Sequence, residues 1–160
     1  MILNLGIRLC VSISRGSFRV KDVQFGYIEL KDGSIIIQRV AVVDVRVLTT
    51  KSPFGVEFDV SITTGIAVRA SDSVSKLLEN KRILSPGEKP PDAWKTVDIV
   101  KSVPAVEEVL FEDEQIGKYL IRIGIEPIMV SLNLEVKTLR GEPLYAVRWV
   151  PKVSWKKIGE

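Results

Sequence analysis

The stretches IIIQRVAVVDVRVL (residues 35–48) and FGVEFDVSITTGIAV (residues 54–68) are rich in β-branched residues and alternate apolar with polar positions. β-Branched side chains favour extended backbone, and a period of two puts alternate residues on one face of a strand. In the first stretch Ile35, Ile37, Ala41, Val43, Val45 and Val47 share a face. Ile36, Gln38, Val40 and Val42, then Asp44, Arg46 and Leu48, share the other. The pattern predicts a strand buried along its odd-numbered face and, at its start only, along the even one. In the second stretch Val56, Phe58, Val60 and Ile62 are expected to point inward, with Glu57, Asp59, Ser61 and Thr63 outward. Residues 49–53 turn the chain between them. At ~3.3 Å per residue each arm exceeds ~40 Å, and arms that long bend or coil. Gly65 is the expected bend point.

The same alternation recurs on either side. Leu3, Leu5, Ile7, Leu9, Val11 and Ile13 form one apolar parity at the N-terminus, and residues 18–30 form a second stretch, with Phe25 and Tyr27 on one face. Asp32-Gly33 is the signature of a two-residue hairpin turn. Residues 71–81 carry the one good helix pattern, capped by Ser71 or Ser73 and ended by Lys81 and Arg82. Residues 85–94 form a Pro-rich crossover loop, with Trp94 expected to pin it. Residues 97–100 read as a short strand, and 102–108 as a brief helix with Pro104 in its first turn. Residues 109–111 and 119–125 read as strands, and Glu126-Pro127 should break or bulge the ladder, since proline donates no hydrogen bond. Residues 128–136 and 145–156 complete a second long hairpin, turned by Arg140-Gly141. The expected fold is mainly β, α+β at the margin. It is an antiparallel barrel or sandwich built on two long hairpins, with one short helix near 72–82, in a single domain spanning 1–160.

Composition sets the chemistry. At 46% hydrophobic and 27% charged, the 160 residues can bury a core rather than remain disordered. Histidine is absent, which removes Ser-His and Cys-His nucleophile pairs and His-ligated zinc. The lone cysteine, Cys10, allows no intrachain disulfide, and only Arg8 lies near it to activate a thiolate. Cys10 is therefore read as inert. Arg8 interrupts the apolar start and no small-residue cleavage site follows, so no signal peptide is expected. No apolar run approaches the ~18 residues of a membrane helix. A cytoplasmic protein follows from these features. Scarce Asn and Gln beside abundant Val, Ile and charge suggest a thermophile, an archaeon in particular. P-loop, GxGxxG, GxSxG and EF-hand patterns are all missing.

Three constellations remain. The net charge of +3 is unevenly spread: basic residues dominate 1–52 and 137–160, and acidic ones cluster at Glu107, Glu108, Glu112, Asp113 and Glu114. Such a bipolar chain could bind a protein partner through its acidic segment 107–114, or stack on itself. In the C-terminal strand Arg148, Lys152 and Lys156 interleave with Trp149 and Trp155. Aromatic platforms beside cations bind single-stranded RNA or DNA by stacking and phosphate contact. Strict alternation, however, puts the aromatics and the cations on opposite faces, and only a bulge at Val150-Pro151 would bring Trp155 and Lys152 to one face. In the first hairpin one register opposes Asp44 to Asp59 and Arg46 to Glu57; another opposes Arg46 to Asp59 and Asp44 to Ser61. The first would bring carboxylates together for a divalent metal or for acid–base work. The bland alternative is a solvated ion pair. The sequence therefore favours a non-catalytic nucleic-acid-binding module without cofactor. A structural or homo-oligomeric assembly protein ranks next, and a metal-dependent enzyme using Asp44, Asp59 and Glu57 last.

Overall fold

A computed structural model of the chain describes residues 16–159. The alternating segment 3–13, with Cys10, lies outside the described residues. The elements in order are β1 (Ser17–Gln24), β2 (Gly26–Leu30), β3 (Ile35–Ser52), β4 (Gly55–Arg69), α1 (Asp72–Leu77), β5 (Arg82–Ile83), β6 (Trp94–Val97), β7 (Ile99–Val103), β8 (Ala105–Asp113), β9 (Gly117–Lys137) and β10 (Pro143–Ile158). One sheet runs β1-β8-β9-β10. β10 follows one edge of β9, while β8, β6 and β5 succeed one another along the other. The second sheet runs β4-β3-β2-β7. All pairings are antiparallel except the short β5·β9 ladder. The sheets do not close into a barrel. They pack face to face, one long hairpin in each, as a sandwich.

Two bulges shape the long strands. In β3 the buried residues are Ile36, Gln38, Val40 and Val42, and then Val45. The register against β4 shifts between Val42 and Asp44, leaving Val43 as the extra residue, 59% exposed. One inserted residue flips every later side chain to the other face. The expectation of an odd-numbered buried face throughout β3 is thus corrected: the buried face is even before Val43 and odd after it. In β9, Tyr119, Ile121, Ile123 and Ile125 are buried before the bulge and Val130, Leu132 and Val136 after it. The register against β10 shifts where Arg148 faces Met129 and Trp149 faces Pro127, so Ile128 is the extra residue. This is the break foreseen at Glu126-Pro127. The first half of β9 packs with Val40, Val45 and Phe58, and the second half with Ile28, Ile36, Val74 and Leu78.

Other local expectations change. The Asp32-Gly33 turn is a three-residue loop, Lys31 to Gly33: the Leu30 N–H donates to the Ser34 carbonyl at 3.0 Å, and Gly33 takes φ +88°. The helix ends at Leu77, short of the expected residue 81. Val74 and Leu78 dock in the core, and Glu79-Asn80-Lys81 offers no further apolar anchor. Residues 102–108 are strand, not helix. Pairing of β8 with both β1 and β9 overrides local preference, and Pro104 sits between β7 and β8 where the chain changes sheet. The Pro-rich loop is held by Asn133, whose side-chain N–H donates to the Pro91 carbonyl at 2.9 Å, and by a bidentate Arg82–Glu88 pair.

Gln38 is 1% exposed, and neither its amide nitrogen nor its amide oxygen has a hydrogen-bond partner among the described residues. A buried unpaired polar group costs stability that an apolar group of the same shape would not. Gln38→Met keeps the chain length and should raise stability by about 1 kcal/mol. A urea midpoint that falls instead would show that the amide has a partner.

Candidate functional site

β10 carries the basic–aromatic arm, and the structure separates its two components. Trp149 and Trp155 are half-buried and pack against the core, with the Trp155 ring 5.4 Å from Phe58 in a T-shaped contact. Arg148, Lys152 and Lys156 point outward and are exposed. The bulge opposite Arg148 lies in β9, so the alternation of β10 runs on undisturbed. Lys152 is ion-paired with Glu126 on β9. Arg148, Lys156 and Lys157 make no ion pair among the described residues. One open concavity of about 510 Å³ brings Arg148 and Trp149 together with Met129 and Ser131.

The carboxylates of the first hairpin take the second of the two registers. Asp44 faces Ser61 and Arg46 faces Asp59, while Glu57 faces Thr49. The Arg46 guanidinium donates to Asp59 Oδ2 at 3.0 Å and stands 3.7 Å from Asp44 Oδ2. A guanidinium between two carboxylates supplies the countercharge that a cation would bring. Among the described residues no three Asp, Glu, Cys or His side chains gather as metal ligands.

The acidic segment 107–114 is largely engaged within the molecule. Glu107 is 1% exposed: its Oε2 accepts from Arg39 at 2.9 Å and its Oε1 from the Val42 N–H at 2.8 Å. Glu108 pairs with Arg122 and Glu112 with Lys118 across the sheet. Asp113 Oδ1 accepts the N–H groups of Gln115 and Ile116 in the β8–β9 turn.

Sequence reasoning took Asp32 for a turn residue, and the fold makes it a junction. Its Oδ1 accepts from the Ser34 N–H, its Oδ2 from the Tyr145 hydroxyl at 2.6 Å, and its carbonyl from Ser71 Oγ at 2.7 Å. The β2–β3 loop, the cap of α1 and β10 meet there. Burial, and then the bond to Asp32, push the Tyr145 phenol well above its ordinary value, so it is a neutral donor at any physiological pH. A cleft of about 500 Å³ opens beside this junction between α1 and β6, with Lys31, Lys95 and Asp98 on its rim and Leu132 on its floor. No sequence motif marks it, because its residues come from four separate segments.

The sheet edges differ sharply. β10 is an edge strand guarded by Pro151, Lys152, Lys156 and Lys157. Proline withholds a donor and lysine resists dehydration, the usual defences of an exposed edge. β4 is an edge strand of 15 residues, paired only with β3 among the described residues. From Val60 to Val68 it reads VSITTGIAV, with no charge and no proline. Ile66, on this stretch, is 45% exposed. Among the described residues no helix is long and apolar enough to cross a membrane. Comparison of the chain with protein-family models, with curated proteins and with solved structures yields no match.

Proposed function

We propose that this protein is a structural or assembly component that associates with itself through its sheet edges, and that it is not an enzyme. The undefended edge of β4 carries this reading. An exposed edge presents a row of unpaired N–H and C=O groups, which natural sheets normally protect. The same molecule protects β10, an edge of similar length. That no second strand lies on β4 among the described residues therefore points to a strand that belongs on it. The internal pairing of Glu107, Glu108 and Glu112 leaves little of the acidic segment free to drive association by charge alone.

Light scattering of the full chain over a range of concentrations is the test. The expected result is a defined mass at a whole multiple of the chain mass, little changed by salt, because backbone pairing is not screened as surface charge is. A single-chain mass at the highest concentration reached would overturn the proposal. A second reading, single-stranded nucleic-acid binding, is favoured by the concavity where Arg148 meets Trp149. It requires a labelled oligonucleotide to bind at low salt and release steeply as salt rises. Unchanged anisotropy at low salt removes it.

A further inference from the structure

We infer that the occupant of the β4 edge is the β4 strand of a second copy of this chain, paired antiparallel about a twofold axis at Thr64. The inference rests on the self-association just proposed. An antiparallel pair keeps inward face against inward face only when opposed residues have the same parity. Centred on Thr64, the pairing opposes Ile62 to the second copy's Ile66 and Val60 to its Val68 on the inward face. Ser61 meets Ala67 and Thr63 meets Gly65 on the outward face. Just beyond the uncharged stretch, Asp59 meets the second copy's Arg69, and the twofold repeats that pair at the other end. Arg69 makes no ion pair among the described residues, while Asp59 is bonded through Oδ2 to Arg46 within its own chain. Opposite charges directly across a ladder stabilise it.

Neighbouring registers do worse. Centring on Thr63 opposes Arg69 to Glu57, but it sets Ile62 against Thr64 and Asp59 against Ala67. Centring on Gly65 sets Arg69 against Ser61. Of the three, only the Thr64 register sets each of Val60, Ile62, Ile66 and Val68 against an apolar residue and gives Asp59 a basic partner. A twofold contact of this kind is self-complementary and closes as a dimer. It joins the two β4-β3-β2-β7 sheets into one continuous sheet and removes the bare edge from both.

Disulfide trapping tests the register. In a Cys10→Ser background, Thr64→Cys places two thiols on directly opposed residues. Their Cα atoms would be about 4.5–5.5 Å apart, within disulfide reach. Mild oxidation should give a covalent dimer in high yield. Ser61→Cys in the same background should not cross-link, because its two copies would lie about 20 Å apart. Thr64→Lys, at an exposed position, sets two ammonium groups face to face and should weaken dimerisation about tenfold or more. A dimer by light scattering that Thr64→Cys fails to trap, or that Ser61→Cys traps instead, overturns this pairing and leaves self-association standing. A single-chain mass removes both.

Discussion

Glu107→Ala should cost about 3 kcal/mol, a large part of the stability of a domain this size. The carboxylate is 1% exposed and has two partners, the Arg39 guanidinium and the Val42 N–H. Removing it leaves a buried backbone donor unsatisfied and strands an arginine whose side chain is only 36% exposed. Breaking one half of a buried pair is expensive because the other half stays dehydrated. Arg39 keeps its bond to the Val40 carbonyl and its place over the Phe25 ring, which holds the cost near the low end of the range. Glu107→Gln preserves shape and an acceptor for Val42 and should cost about 1 kcal/mol. The two variants separate the charge from the bridge to Val42. Val42 is the last residue before the β3 bulge, so Glu107 on β8 pins the strand where its buried face switches. Hydrogen exchange at the Val42 amide should accelerate in the alanine variant and stay slow in the glutamine variant. Equal urea midpoints for wild type and Glu107→Ala would show that the bulge does not depend on this carboxylate.

The same residues show what the sequence made legible. Strand after strand was readable because alternation is a local property of the chain. The break at Glu126-Pro127 was readable because proline carries its own signal. Val43 has none: a bulge between two valines looks like continuous strand. Its one visible mark lies outside the strand, in Glu107 of the other sheet, which accepts the Val42 N–H. Glu107 stands in the sequence as one member of an acidic cluster for the same reason, since burial of a carboxylate depends on a partner 68 positions away. The helix signal was correct up to Leu77 and failed beyond its cap at Leu78, where only packing could have sustained another turn. Residues 102–108 carried a plausible helix start, and the two neighbours of β8 overruled it. The bare edge of β4 was present in the sequence as an uncharged run. Its meaning needed the strand order, because the same run in a central strand would be ordinary. Opposite placement of Trp149 and Arg148 was inherent in the alternation, and the candidate stacking platform depended on a bulge in β10 that the structure puts in β9 instead.

Phe58→Ala should cost about 4 kcal/mol, the largest loss expected from a single apolar truncation here. The ring is 6% exposed and sits at the centre of an aromatic group. Its centroid lies 5.2 Å from Phe111, 5.1 Å from Tyr119 and 5.4 Å from Trp155, at interplanar angles of 70°, 67° and 81°. Edge-to-face contacts of this kind add about 0.5–1.5 kcal/mol each beyond area burial. Four strands, β4, β8, β9 and β10, meet on this one side chain, so the cavity cannot close by moving a single element. Phe58→Leu retains most of the volume and should lose roughly half as much. The tryptophan spectrum supplies the second readout. Truncation removes the inner wall of Trp155, so its emission should shift red and its near-ultraviolet dichroism should weaken while the chain is still folded. This outcome also bears on the choice between functions. A tryptophan held edge-to-face by Phe58 is a structural wedge between the two long hairpins. If the emission of Trp155 is already that of a solvated indole in the wild type, and Phe58→Ala leaves it unchanged, the ring lies on the surface and the stacking platform on β10 is restored.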